Sequence, residues 1–241
     1  APPARDEVRG GLHRARRVVD GNLCHADPGV QAEVLYWAAR LCAVFPETRN
    51  DAINYRLQLL QIKPKSDTRI IDALIHESGG DVDGALRDLR DVDDPDGHTV
   101  FFLLLRRRRG YEVALEWFDG QKHRDDANFF TGLGWSQIAA ALAQAGRWKD
   151  AVDRLAMVRG QAGEWPELTF VEGMVNAAML LPVELRWNAL ATGFFPPERS
   201  TIAGVIADQC RATADDRLAR AEEQMTEIGQ DDQVQSAKTV R

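Results

Sequence analysis

Apolar residues recur along most of the chain with a helical period, in stretches of about 10–15 residues separated by short clusters of Gly, Pro, Asp and Asn. The clearest stretch spans residues 132–163, GLGWSQIAAALAQAGRWKDAVDRLAMVRGQAG. Ile138, Leu142 and Ala145 line one face of a first predicted helix. Trp148, Ala151, Val152, Leu155 and Val158 line a second, and Gly146 supplies the turn between them. GLG at 132–134 has no preceding strand, so it reads as a helix start and not as a nucleotide loop.

The same turn-then-alanine pattern recurs at Ala15, Ala52, Ala85 and Ala114 before Ala151, at irregular intervals scattered around about 34 residues. Val19, Leu89 and Phe118 each follow their alanine by one helical turn, on the same face; Ala52 departs, with Arg56 in that place. Pro64 is positioned to stop the helix that contains Ala52, and Asp27-Pro28 is expected to close an earlier unit in the same way. Residues 4–20 read as the second helix of a pair whose first helix is missing, which makes the chain a piece of a longer array or this helix a cap. Residues 166–180 read as another first helix. Beyond it Pro182 and the GFFPP break at 193–197 disturb the phasing. A pair follows over about 199–228, with Asp215 and Asp216 near the start of its second helix. Residues 229–241 are polar and are expected to form a frayed tail.

The block at 132–163 resembles the tetratricopeptide repeat, whose pattern runs W-x2-L-G-x2-Y and then A-x3-F. Trp135, Ile138, Ala139 and Leu142 occupy the first half, Ala151 and Leu155 the second. The resemblance extends less tightly over residues 10–180. It implies an all-α, right-handed superhelical solenoid of antiparallel helix pairs over residues 1–228, whose first helices line a concave groove that binds a protein or peptide segment. Carried over by alignment, that groove would include Trp37, Leu41, Ile70 and Leu74. Further along it would include Thr99, Leu103, Arg106 and Arg107, then Ser136, Ala140 and Gln144, and finally Phe170 and Met174. Members that bind chaperone tails use a lysine and asparagine clamp. Trp37, Leu41, Ile70, Leu74 and Thr99 stand at those places here, so that specialised activity is not implied.

Composition narrows the picture. With 44% hydrophobic residues the chain can bury a sizeable core, and its net charge of −7 disfavours nucleic acid and anionic membranes as partners of the whole chain. No apolar run approaches the roughly 20 residues of a membrane span, so a soluble protein is expected. A cytoplasmic location is expected, with export open if Ala1 follows a removed leader. Cys24, Cys42 and Cys210 are too few and too scattered for a disulfide framework.

Catalytic chemistry has no visible constellation. The sequence holds no HExxH, CxxC, GxSxG or GxxxxGK[ST], and its histidines lack the spacing that puts two ligands on one helical face. DVDDPDG at 91–97 has proline at a ligand place and no closing glutamate, so it reads as a capping loop with no calcium. No enzyme activity, cofactor or metal is therefore expected. Arg106 to Arg109 form the strongest charge run. As a run they complement a helix C-terminus, while Arg106 and Arg107 are the best candidates for holding an anionic partner. Trp135 and Trp148 read as core. Trp117, Trp165 and Trp187 read as interhelix packing, and Trp37 as the tryptophan to test for exposure. The expected function is a non-catalytic interaction scaffold, a module of a larger protein, with an acidic or amphipathic segment as partner and self-association open. The alternatives are a sensor or oligomerisation arm of a regulatory enzyme, and a helical-repeat nucleic-acid binder.

Overall fold

The structure, a computed structural model, describes Gly21 and residues 27–162, 165–193 and 205–227; the expected helix at 4–20 and the tail at 229–241 lie outside them. Among the described residues all regular structure is helical: 11 α-helices and two short 3-10 turns. None of these helices is long and apolar enough to cross a membrane. The chain divides into two compact units between Val92 and Asp93.

The first unit contains α1 (Pro28–Ala43), a 3-10 turn (Pro46–Thr48), α2 (Arg49–Ile62), α3 (Arg69–Ser78) and α4 (Val82–Leu89). Asp27-Pro28 opens α1 where closure of an earlier helix was expected. The Asp27 carboxylate accepts from the Gly29 amide at 2.7 Å, and proline in the first turn gives up an amide that would have no partner there. Pro64 stands just past the end of α2, as its missing amide requires. α1 packs on α2 and α3, and α3 packs on α2 and α4, burying Leu35, Ala52, Leu59, Ile71, Ala85 and Leu89. Arg56, which breaks the apolar pattern, donates to Asp72 at 2.9 Å; Tyr55 and Leu59 supply the buried stripe in its stead.

The second unit contains α5 (Pro95–Arg109), α6 (Tyr111–Asp119), a 3-10 turn (Ala127–Phe129), α7 (Gly132–Gln144), α8 (Trp148–Ala162), α9 (Pro166–Met179), α10 (Val183–Thr192) and α11 (Val205–Glu227). The acidic loop before α5 acts as a cap: Asp94 accepts from the amides of Asp96 and Gly97 at 3.0 and 2.8 Å. α7 packs on α5, α6, α8 and α9, and α9 packs on α10 and α11. Phe102, Phe118, Phe130, Trp135, Ile138, Leu142 and Leu155 form the centre of this unit, each almost wholly buried.

Two local devices repeat. Gly80, Gly110 and Gly146 precede α4, α6 and α8 with φ of 86°, 95° and 77°, a region that side-chain-bearing residues resist. Ala52, Ala85, Ala114 and Ala151 each stand one turn into α2, α4, α6 and α8 and are 0% exposed. A methyl group there lets paired helices approach closely. Ala151→Trp is expected to overpack that crossing and cost up to about 3 kcal/mol, read as a lower urea midpoint; an unchanged midpoint would contradict the pairing.

The last third differs from expectation. No helix boundary falls near Asp215 and Asp216: α11 runs through both, because residues 205–227 contain neither Gly nor Pro, and Asp216 pairs with Arg220 one turn on at 3.2 Å. α11 lies antiparallel along α9. Ala221 packs near Phe170, Leu218 meets Gly173 and Met174, and Cys210 packs with Leu180.

Candidate functional site

Because α7 touches four other helices, little of its surface stays open. Leu133 is exposed, and Gln137, Ala140 and Gln144 are half-buried; their spacing of four, three and four residues makes them one strip along the helix. Beside that strip, α5 presents Leu103, Arg106 and Arg107. Leu103, Arg106, Arg107 and Gln137 line a recess of about 400 Å³.

Arg106 is half-buried in this recess. Its Nη1 donates to both oxygens that Gln137 offers, the backbone carbonyl at 3.3 Å and the side-chain Oε1. Both acceptors are neutral, and no carboxylate among the described residues lies within ion-pair distance of Arg106. Burial therefore pulls the guanidinium below its usual high pKa with no opposing charge to hold it up, although it stays protonated at any physiological pH. Arg107, Arg108 and Arg109 are exposed in the last turn of α5, where cations complement the helix dipole.

The structure brings Leu103, Arg106 and Arg107 of the expected groove together around Gln137, and the expected Ala140 and Gln144 share the α7 strip with Gln137, which adds Gln137 and Leu133 to the groove. The signal for both additions was the continuation of the Ala140–Gln144 strip toward the N-terminus of α7. Three expected groove residues of the second unit are buried, which is a correction to the aligned assignment. Thr99 is 2% exposed; its hydroxyl donates to the Pro95 carbonyl at 2.7 Å and accepts from the Thr131 amide at 3.1 Å, underneath the start of α7. Ser136, also 2% exposed, donates to the Leu133 carbonyl at 2.8 Å within the crowded side of α7. Met174 is covered by Ala214 and Leu218 of α11, and Phe170 is half-buried beneath the same helix.

In the first unit, Ile70 and Leu74 are buried in the core, again unlike the aligned assignment. Trp37 and Leu41 are exposed on α1, on one face with Val30 and Val44, and the Arg40 guanidinium stacks 4.8 Å from the Trp37 ring.

A second recess, of about 360 Å³, lies between α6 and α8 and is lined by Asp119, Arg124, Arg147, Asp150, Asp153 and Arg154 among others. Its charges cancel internally. Arg147 reaches Asp119 at 2.6 Å and Asp150 at 2.9 Å, while Arg154 pairs with Asp125 and donates to the Arg124 carbonyl at 3.0 Å. His76 faces Asp88 at 2.8 Å, and His98 stacks on Phe129 and contacts its carbonyl, each a local structural contact. Among the described residues no three His, Cys, Asp or Glu side chains gather as a metal site would require.

No family model matches the chain, and neither a curated protein nor a solved structure matches it.

Proposed function

We propose that the helix pairs are of the tetratricopeptide-like solenoid type and that the chain is a protein-binding scaffold, holding a segment of a partner along the open strip of its first helices. The observation that carries this is the strip Leu133–Gln137–Ala140–Gln144 beside Leu103, Arg106 and Arg107, an apolar and polar surface left uncovered on α7, a helix that packs on four others, and on the adjoining face of α5. The alternation of packing supports the solenoid type. Each first helix touches the second helix of its own pair, and within a unit α1 touches α3, α5 touches α7 and α7 touches α9. Positive-φ glycine turns and one buried alanine per second helix recur with it.

A photo-crosslinking residue placed at Gln144 or Ala140 tests the assignment in lysate from the source cells. A discrete crosslinked partner is expected from those positions and none from Glu116 or Asp153, which are exposed on second helices. Equal crosslinking from both sets overturns the groove.

A further inference from the structure

We propose that the partner segment is an acidic amphipathic helix whose carboxylate is anchored by Arg106; this rests on the scaffold reading above and names the chemistry that the groove selects. Three observations converge on it.

The first is electrostatic. Arg106 is a half-buried charge that, among the described residues, meets two neutral oxygens, both through Nη1. No acceptor among the described residues takes its other guanidinium donors, which leaves them to meet a carboxylate side-on, in the paired geometry that arginine favours. Gln137 fixes the plane of the group before any partner arrives, which lowers the entropy cost of binding. The chain as a whole carries a charge of −7, so this recess is a basic exception on an acidic molecule.

The second is the composition of the strip. Leu103, Leu133 and Ala140 are apolar and alternate with the polar Gln137 and Gln144. That mixture suits a helix with an apolar stripe and a flanking carboxylate, and it offers no aromatic platform for bases. From Leu133 to Gln144 the strip runs roughly 16 Å, which is about three helical turns of a partner.

The third is that the molecule already binds a helix in this way. The aligned groove places on α9, Phe170 and Met174, are covered by α11, an amphipathic helix that sets Leu218 onto Gly173 and brings Arg217 to 3.5 Å from the buried Glu172. On α9 a carboxylate receives an arginine from the docked helix. On α5 and α7 the first-helix surface holds the arginine, and the complementary group is a carboxylate.

The test pans a display library of random 16-residue peptides against the whole chain and measures the selected peptides by fluorescence anisotropy. Selected sequences are expected to carry Asp or Glu within one turn of a Leu. Their affinity should fall roughly tenfold, a partly exposed charge pair, when the peptide's Glu is exchanged for Gln or when Arg106→Gln is made, and less with Arg106→Lys. The peptide-side exchange leaves the protein untouched, so it reads the contact even if Arg106→Gln disturbs folding. Peptides that bind equally in neutral form overturn the carboxylate anchor while leaving the scaffold reading intact. If no peptide binds and the groove positions give no crosslinks, both fail. Salt-dependent binding of oligothymidine that Arg106→Gln abolishes overturns the inference in favour of nucleic acid. A concentration-dependent dimer that the same substitution dissolves overturns it in favour of a second copy of the chain.

Discussion

Replacing Trp135 with alanine is expected to remove about 3–5 kcal/mol of stability, which for a domain of ordinary marginal stability approaches unfolding. Trp135 is 1% exposed and joins three parts of the second unit. Its ring meets Phe118 of α6 edge-on with centroids 6.1 Å apart and Phe130 at 5.1 Å, and its indole N–H donates to the Ala127 carbonyl at 2.8 Å. Truncation opens a cavity bounded by aromatic rings that are themselves locked, so little collapse can offset it. It also leaves the Ala127 carbonyl without its donor. Trp135→Phe should retain most of the packing and lose mainly the hydrogen bond, at about 1 kcal/mol. Urea unfolding followed by circular dichroism separates the two; equal losses would mean that the cost lies in the indole N–H and not in the cavity.

Glu172→Ala is the second large effect, with an expected loss near the lower end of about 3–5 kcal/mol. The Glu172 carboxylate is 4% exposed, accepts from Arg159 of α8 at 3.0 Å and stands 3.5 Å from Arg217 of α11. Removing it strands the Arg217 guanidinium, which is 11% exposed, although Asp216 still lies 3.2 Å away and softens the cost. The control exchanges Glu172 together with its more deeply buried partner, Glu172→Leu with Arg217→Met, which should recover much of the loss because the cation left behind, Arg159, is about a third exposed. Amide hydrogen exchange should rise first along α11 in the single variant and return toward wild type in the double one. A double variant as unstable as the single would show that the ion pair is not what fastens α11 to α9.

Local features were legible in the sequence, and features made by distant segments were not. The pair α7–α8, its turn at Gly146, the buried Trp135 and Trp148 and the crossing alanines Ala52, Ala85, Ala114 and Ala151 follow from spacing within a few tens of residues, and the structure has each of these, while Ala15 lies outside the described residues. Asp27-Pro28 was ambiguous because proline is equally at home just past one helix and in the first turn of the next; the Asp27 side chain decided it by capping α1. Phe170 and Met174 have the pattern of a groove face, yet whether such a face meets solvent depends on α11, which lies some forty residues further along the chain. Thr99 and Ser136 were misplaced for a related reason. A repeat alignment assigns a face, and the count of neighbouring helices determines how much of that face stays open. Arg106 was picked out by its charge and by its place in the repeat alignment. Its restraint by Gln137 is a contact between helices that no periodicity encodes.

The pattern of helix contacts also bears on how the chain reaches this structure. In the described residues each helix packs mainly against the next one along the chain or the next but one. The loops that must close are therefore short, and low contact order of this kind goes with folding in microseconds to milliseconds. A pair such as α7–α8 can order soon after its own residues leave the ribosome, before the segments that follow it have been made.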